Sequence, residues 1–194
     1  MNVAIIKYNA GNIRSVLIAL ERLGVKAKVT DDPQEIKSAD KVIFPGVGEA
    51  SSALAYLKER GLDKLILELK QPVLGICLGL QLMCKHSTEG DTDCLGIFEN
   101  EVVRFPETEK VPHMGWNSIE GLKSPLFENI KNGSHVYFVH AFAAKEGSGQ
   151  IAVTNYIMPF ASALNKDNFY ATQFHLEKSG DVGAQILKNF IELS

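Results

Sequence analysis

Apolar positions in the first half of the chain alternate between two rhythms. Residues 3–6, 27–30, 41–44 and 73–76 are short, mostly apolar runs rich in β-formers, and each predicts a strand. Between the first two, Ile13, Val16, Leu17, Leu20 and Leu23 recur at helical spacing and Gly24 closes the stripe. Residues 9–12 read as a turn, with Asn12 placed to cap the helix that follows. Asp31-Asp32-Pro33 opens a short second helix, and residues 52–59 and 63–70 predict two more with Gly61 between them. Strand alternating with helix predicts an α/β fold: a doubly wound, mostly parallel central sheet with flanking helices. In such sheets the loops at the strand carboxyl ends build the active site.

After Glu89 the rhythm changes. Residues 101–105, 117–119, 136–139, 150–155, 161–164 and 169–174 read as strands with little helix between them, and residues 165–168 as a turn. This half predicts a mixed or antiparallel extension of the sheet. A closing helix over 179–193 turns Val182, Ile186, Leu187, Phe190 and Ile191 inward. No linker-like stretch divides the chain, so one domain over residues 1–194 is expected.

Composition narrows the partners. A net charge of −3 offers no basic footprint for nucleic acid. The chain opens directly on a strand without a signal-peptide pattern, and no apolar run approaches the length of a membrane span. Three cysteines without paired spacing suit a reduced, cytoplasmic setting. A zinc site from Cys84, His86, Cys94 and His113 matches no standard ligand spacing, so neither metal nor cofactor is expected.

The candidate chemistry centres on residues 72–81, Pro-Val-Leu-Gly-Ile-Cys-Leu-Gly-Leu-Gln. The strand ends abruptly in Gly-x-Cys-x-Gly, and a helix over 80–85 follows at once. This is the cysteine version of a nucleophile elbow, whose sharp turn admits only small neighbours at Gly75 and Gly79. Cys77 then stands above a helix N-terminus, whose positive end favours thiolate. The N–H of Leu78 is free to point at a developing oxyanion. On the elbow alone, a buried structural cysteine in a glycine-rich turn remains open.

A base must come from elsewhere. The 169 strand runs into Gln173-Phe174-His175-Leu176-Glu177, where strand alternation puts His175 and Glu177 on one side. A carboxylate there can hold the tautomer of the imidazole and stabilise the imidazolium, as the third member of a triad does. An accidental His-x-Glu at a strand end is the alternative. His86, His113 and His135 sit in polar or loop-like contexts that suit surface or structural roles. His140 reads as a satisfied core histidine, Cys84 as packing on the elbow helix and Cys94 as a loop residue.

Taken together, Pro45-Gly46-Val47-Gly48, Gly75 to Gln81, Glu89-Gly90 and Gln173 to Ser179 resemble the triad-type, class I glutamine amidotransferases, a flavodoxin-like α/β family. Gly11 to Val16, Pro112 to Asn117 and Tyr137 to His140 are most similar to the branch that serves imidazole glycerol phosphate synthases in histidine biosynthesis. The resemblance runs nearly end to end. It implies glutamine as substrate, Cys77 as nucleophile, His175 as base and Glu177 as its orienter. It implies backbone oxyanion donors at Gly46, Val47 and Leu78, and substrate contacts at Gly48, Gln81, Glu89 and Ala141. It also implies a heterodimer with a barrel-shaped, HisF-type cyclase subunit, met through Asn12, Met114, Trp116 and Tyr137. Trp116 is read as an anchor in a glycine-rich polar loop.

Three positions depart from the family pattern. Leu176 stands where proline is usual, which removes a fixed φ but keeps the His-x-Glu spacing. Ala141-Phe142 replaces a hydroxyl residue followed by an aromatic, so a contact there must come from backbone. Lys7-Tyr8-Asn9-Ala10 stands where an acidic residue and a second glycine are common, which is expected to alter the partner-facing surface.

Overall fold

The computed structural model describes residues 1–9 and 11–193, so Ala10 of the expected first turn and Ser194 lie outside the described residues. The first half alternates strands β1 (Val3–Ile6), β2 (Ala27–Thr30), β3 (Lys41–Gly46) and β4 (Val73–Cys77) with helices. These are α1 (Ile13–Arg22), α2 (Pro33–Ser38), α3 (Ala50–Glu59), α4 (Leu62–Glu68) and α5 (Leu78–Met83). Two short strands follow, β5 (His86–Ser87) and β6 (Thr92–Asp93), then β7 (Glu101–Arg104) and β8 (His113–Ile119). The remainder comprises β9 (Ser134–His140), β10 (Phe142–Ala144), β11 (Gln150–Tyr156), β12 (Met158–Lys166), β13 (Phe169–Thr172) and α6 (Gly180–Glu192).

The central sheet has seven strands in the order β11-β12-β13-β4-β3-β1-β2. From β2 to β13 every neighbour is parallel, and β12 and β11 add the antiparallel extension. The parallel part has the 2-1-3-4-5 order of flavodoxin-like sheets. β10-β7-β5-β6 form a small second sheet, and β8 and β9 a hairpin of their own.

Strand alternation sorts the side chains into two cores. Ala4, Ile6, Val42 and Phe44 face the layer of α2 to α5, with Ile36, Leu54, Leu57, Leu62 and Ile66. Val3, Ile5, Ile43, Leu74 and Ile76 face α1, α6 and the β8–β9 hairpin, with Val16, Leu20, Ile186, Phe190, Val136 and Phe138. The helix starts are chemically marked. Asp32 accepts from Gln34 N at 2.8 Å and Glu35 N at 3.1 Å with Pro33 beside it, a cap worth about 1 kcal/mol.

The structure revises several boundaries. The strand over 117–119 begins at His113, because its partner β9 extends to His140 and every residue of β8 is paired with it. Trp116 therefore lies on a strand, opposite Tyr137, rather than in a loop. The elbow helix starts at Leu78 and ends at Met83, leaving Cys84 buried at its C-cap. Asn12 has left-handed φ and makes no side-chain cap on α1. Tyr8 is buried against Phe44, with its hydroxyl donating to Pro45 O at 2.6 Å, while Lys7 and Asn9 on either side of it are exposed.

Candidate active site

Three neighbouring parallel strands deliver the candidate residues to one end of the sheet. Gly46 ends β3, Cys77 ends β4 directly beside it in register, and the chain beyond β13 carries His175. Cys77 has φ 54° and ψ −102°, a backbone conformation that an L-residue adopts only when its surroundings impose it. The next turn explains how. A Cβ on Gly79 would stand 1.9 Å from the carbonyl oxygen of Phe44, so only glycine lets α5 start this close to β3.

His175 and Glu177 meet by a different route from the one strand alternation suggested. β13 stops at Thr172, and residues Leu176–Lys178 form a 3-10 turn. The turn folds Glu177 back so that its Oε1 lies 2.7 Å from His175 Nδ1, with both side chains only 1% exposed. Backbone bonds hold the turn: His175 N donates to Tyr137 O at 3.0 Å, and Ser179 Oγ donates to His175 O at 2.6 Å while accepting from Tyr137 N at 2.9 Å. Helix α6 closes over it at Gly183, where a Cβ would lie 2.1 Å from Leu176 O. Leu176 is itself buried, and the turn forms with leucine where the resemblance led one to expect proline.

Asn12 completes the arrangement. Its Nδ2 donates to Glu177 Oε1, beside the bond from His175. The half-buried side chain is thus turned toward the His175–Glu177 pair. With Nδ1 donating to Glu177, the Nε2 atom of His175 is left buried without a hydrogen-bond partner among the described residues. Burial pulls the imidazole pKa down. The Cys77 sulfur and the Glu177 carboxylate outweigh that pull and raise it to about 10.

Gly48, Gln81, Glu89 and Ala141 line one cavity of about 260 Å³ with Cys77, Val47 and Leu78. Glu89 Oε2 accepts from Ala50 N at 2.8 Å, and burial raises its pKa. The Ala141 carbonyl accepts from Phe105 N at 2.9 Å, and that of Val47 accepts from Gly11 N at 3.1 Å. Gln81 Nε2 donates to Phe142 O at 2.9 Å and to Gln173 Oε1 at 3.3 Å. Both its N–H bonds are therefore directed at the protein, which leaves its carbonyl oxygen for the cavity. Behind this wall Gln173 Nε2 lies 3.7 Å from Cys77 Sγ. Sequence reasoning quoted Gln173 in a motif without a role; its only signal was an amide two residues before the histidine.

The buried pair His113–His140 was also missed as a pair. His113 Nδ1 and His140 Nε2 are 3.1 Å apart, and His140 Nδ1 lies 2.8 Å from Phe142 O. Burial, which desolvates both rings, lowers His113 to about 4 and His140 to about 3, so both are neutral near pH 7. Among the described residues no group of three or more His, Cys, Asp or Glu could hold a metal ion. On the outer face of β8, Met114 is 57% and Trp116 56% exposed, and Trp116 meets Tyr137 edge-on at 6.0 Å.

A cysteine on a strained strand-to-helix turn, a histidine–carboxylate pair near it and a cavity lined with amide and carboxylate groups are the features expected of a class I amidotransferase. The sequence matches the family "Glutamine amidotransferase class-I" over residues 4–193, and the chain belongs to that family. It is 60% identical, over the whole of both chains, to "Imidazole glycerol phosphate synthase subunit HisH" of Bacteroides fragilis strain YCH46. It is 46% identical to the protein of the same name from Haemophilus influenzae strain Rd, over 99% of this chain and 98% of the other. Among solved structures, one described as a glutamine amidotransferase superposes with a TM-score of 0.76 at 21% identity, covering 98% of this chain and 97% of that one. PurLQS from Thermotoga maritima superposes at 0.75 and 14% identity, over 98% and 97%, a likeness of fold.

Proposed function

We propose that this chain is the glutaminase subunit of an imidazole glycerol phosphate synthase, hydrolysing glutamine and passing ammonia to a cyclase partner. The observation that carries the proposal is the meeting of Cys77, His175 and Glu177 at one sheet end in a chain 60% identical, end to end, to a protein with that subunit name. The relatives are named as subunits, which supports a complex with a partner; a barrel-shaped cyclase is the partner proposed. Among the described residues no helix is long and apolar enough to cross a membrane, and a cytoplasmic location goes with the biosynthetic role.

In this reading the Cys77 sulfur attacks the side-chain carboxamide carbon of glutamine. The C=O electron pair moves onto oxygen, where backbone N–H groups of Leu78 and the Gly46–Val47 loop stabilise the charge. His175, protonated beside the sulfur and the Glu177 carboxylate, delivers the Nε2 proton to the departing nitrogen and releases ammonia. The γ-glutamyl thioester remains on Cys77. A water molecule, losing a proton to the now neutral Nε2, attacks the thioester carbon and yields glutamate and free Cys77. Free glutamine is a zwitterion. The Glu89 carboxylate and the Gln81 carbonyl suit its ammonium group, and the Gly48 backbone its carboxylate.

The test is glutamate release from glutamine, with and without the cyclase subunit and its nucleotide ligand, using Cys77→Ser as control. Release that rises with the liganded partner and vanishes in the variant is expected. Release indifferent to that partner would reassign the synthase, and no release from the native complex would leave a docking module without catalysis.

A further inference from the structure

We propose that Gln173 is a positioning residue for the nucleophile, aiming a side-chain N–H at Cys77 Sγ from behind the elbow and favouring the charged form of the sulfur. The proposal rests on the reading of Cys77 as the nucleophile and assigns it a partner outside the triad.

Amide oxygen and nitrogen are distinguished here by their neighbours. The Phe142 carbonyl can only accept, and it lies 2.9 Å from the Gln81 amide, which must present nitrogen to it. That nitrogen also lies 3.3 Å from the Gln173 side chain, which must answer with oxygen. The Gln173 nitrogen is therefore the atom 3.7 Å from Cys77 Sγ, an N–H directed at sulfur. The same carbonyl fixes the histidine pair. His140 Nδ1 donates to Phe142 O, so its Nε2 accepts from His113 Nδ1. Two donors thus hold Phe142 O at the head of the chain Phe142–Gln81–Gln173–Cys77. Both rings are neutral near pH 7, as this polarity requires.

Gln173 has no freedom to turn away. It is fully buried, its N–H donates to Ser162 O on β12 at 2.9 Å, and Phe174 beside it packs on Phe138 at 5.8 Å. A buried amide N–H beside a sulfur gains most when the sulfur is charged, because donors to charged groups form the stronger hydrogen bonds. The His175 imidazole, with Glu177 behind it, and the Tyr8 hydroxyl act on the sulfur, Glu89 and His140 line the same cavity, and the Val139 carbonyl lies 4.0 Å from Cys77 Sγ, where it can accept from the thiol. Substitutions at Gln173 leave all of these groups in place.

The experiment follows iodoacetamide alkylation of the Cys77 peptide by mass spectrometry from pH 5 to pH 10. It compares the native chain with Gln173→Met, which keeps bulk and loses the donor, and Gln173→Glu, which sets a carboxylate against the sulfur. The alkylation rate near pH 7 is expected to fall by roughly tenfold in Gln173→Met and further in Gln173→Glu. With the partner present, kcat for glutamine hydrolysis should fall in Gln173→Met while KM stays within about twofold, as for an interaction that acts on the chemical step. Native alkylation profiles in both folded variants would overturn the proposal. If neither variant folds, the Gln173 side-chain amide signals of the native chain, followed by NMR, decide. Movement with the thiol titration that is lost in Cys77→Ser supports the proposal, and signals indifferent to that titration overturn it. Absence of glutamate release from the native complex counts separately, against the proposed function.

Discussion

Asn12 and Glu177, 165 positions apart in sequence, share a hydrogen bond in which the Asn12 amide donates to the carboxylate oxygen that also accepts from His175. The bond ties the loop after β1 to the turn after β13. Among the described residues Glu177 Oε2 is buried without a partner, so Oε1 takes both donors and carries the ordering of the pair. Asn12→Leu removes one donor from a buried charge. A loss of roughly 10-fold to 100-fold in kcat is expected, with KM little changed. Steady-state kinetics with the partner bound checks this, and an unchanged kcat would show that His175 orders Glu177 unaided.

The raised pKa of His175 sets a second expectation. Because the folded value, about 10, exceeds the ordinary histidine value near 6.5, protonation here stabilises the fold fully below about pH 6.5. That contribution declines above it and is lost as pH rises through about 10. In Cys77→Ser and in Glu177→Gln the imidazole should titrate at a lower pH, since each removes one source of the rise. NMR titration of the His175 ring reads the midpoint directly. Glu177→Gln should also reduce kcat less than His175→Ala, since it removes the proposed orienter and keeps the proposed base.

His113 and His140 work in the opposite direction. Their folded values, about 4 and about 3, lie below the ordinary one, so the unfolded chain binds more protons between those values and about pH 6.5. Stability from this pair is present above about pH 6.5 and is lost as pH falls through about 4. His113→Gln should be less stable than the native chain at pH 7.5 and show a shallower decline toward pH 4.5. Urea unfolding midpoints across that range test it; parallel curves for the two proteins would refute it.

Gly79→Ala should prevent the native fold. The added methyl would lie 1.9 Å from Phe44 O, a backbone atom of a central strand that cannot withdraw. The penalty exceeds the roughly 1–3 kcal/mol of ordinary core overpacking. Loss of soluble, cooperatively melting protein is the expected observation.

Trp116 bears on the proposed partner. It is 56% exposed and stands against Tyr137, whose ring also lies 5.8 Å from Lys178 Nζ. Trp116→Ala should leave the melting temperature of the isolated chain nearly unchanged and weaken binding of the cyclase subunit by about tenfold or more, as loss of an interface anchor does. Calorimetric titration with that subunit distinguishes an anchor from a bystander.

Much of this protein is written locally. Alternating apolar runs and helical stripes specify the βα units, because burial of one face is a property of spacing along the chain. The elbow is equally local: Gly-x-Cys-x-Gly between a strand and a helix describes its own geometry, including the glycine that admits Phe44 O. Tertiary structure decided what depends on distant segments. His175 and Glu177 were expected to meet along a strand, and they meet through a 3-10 turn held by Tyr137, Ser179 and Gly183. Asn12 has the sequence context of a cap, yet the packing of the loop after β1 against that turn offers its amide a buried carboxylate instead. Gln173, His113 and His140 acquire partners only when β4, β8, β9 and β13 converge. A polar side chain carries no record in sequence of which buried group it will satisfy, since that choice is made by segments far along the chain when water is expelled between them.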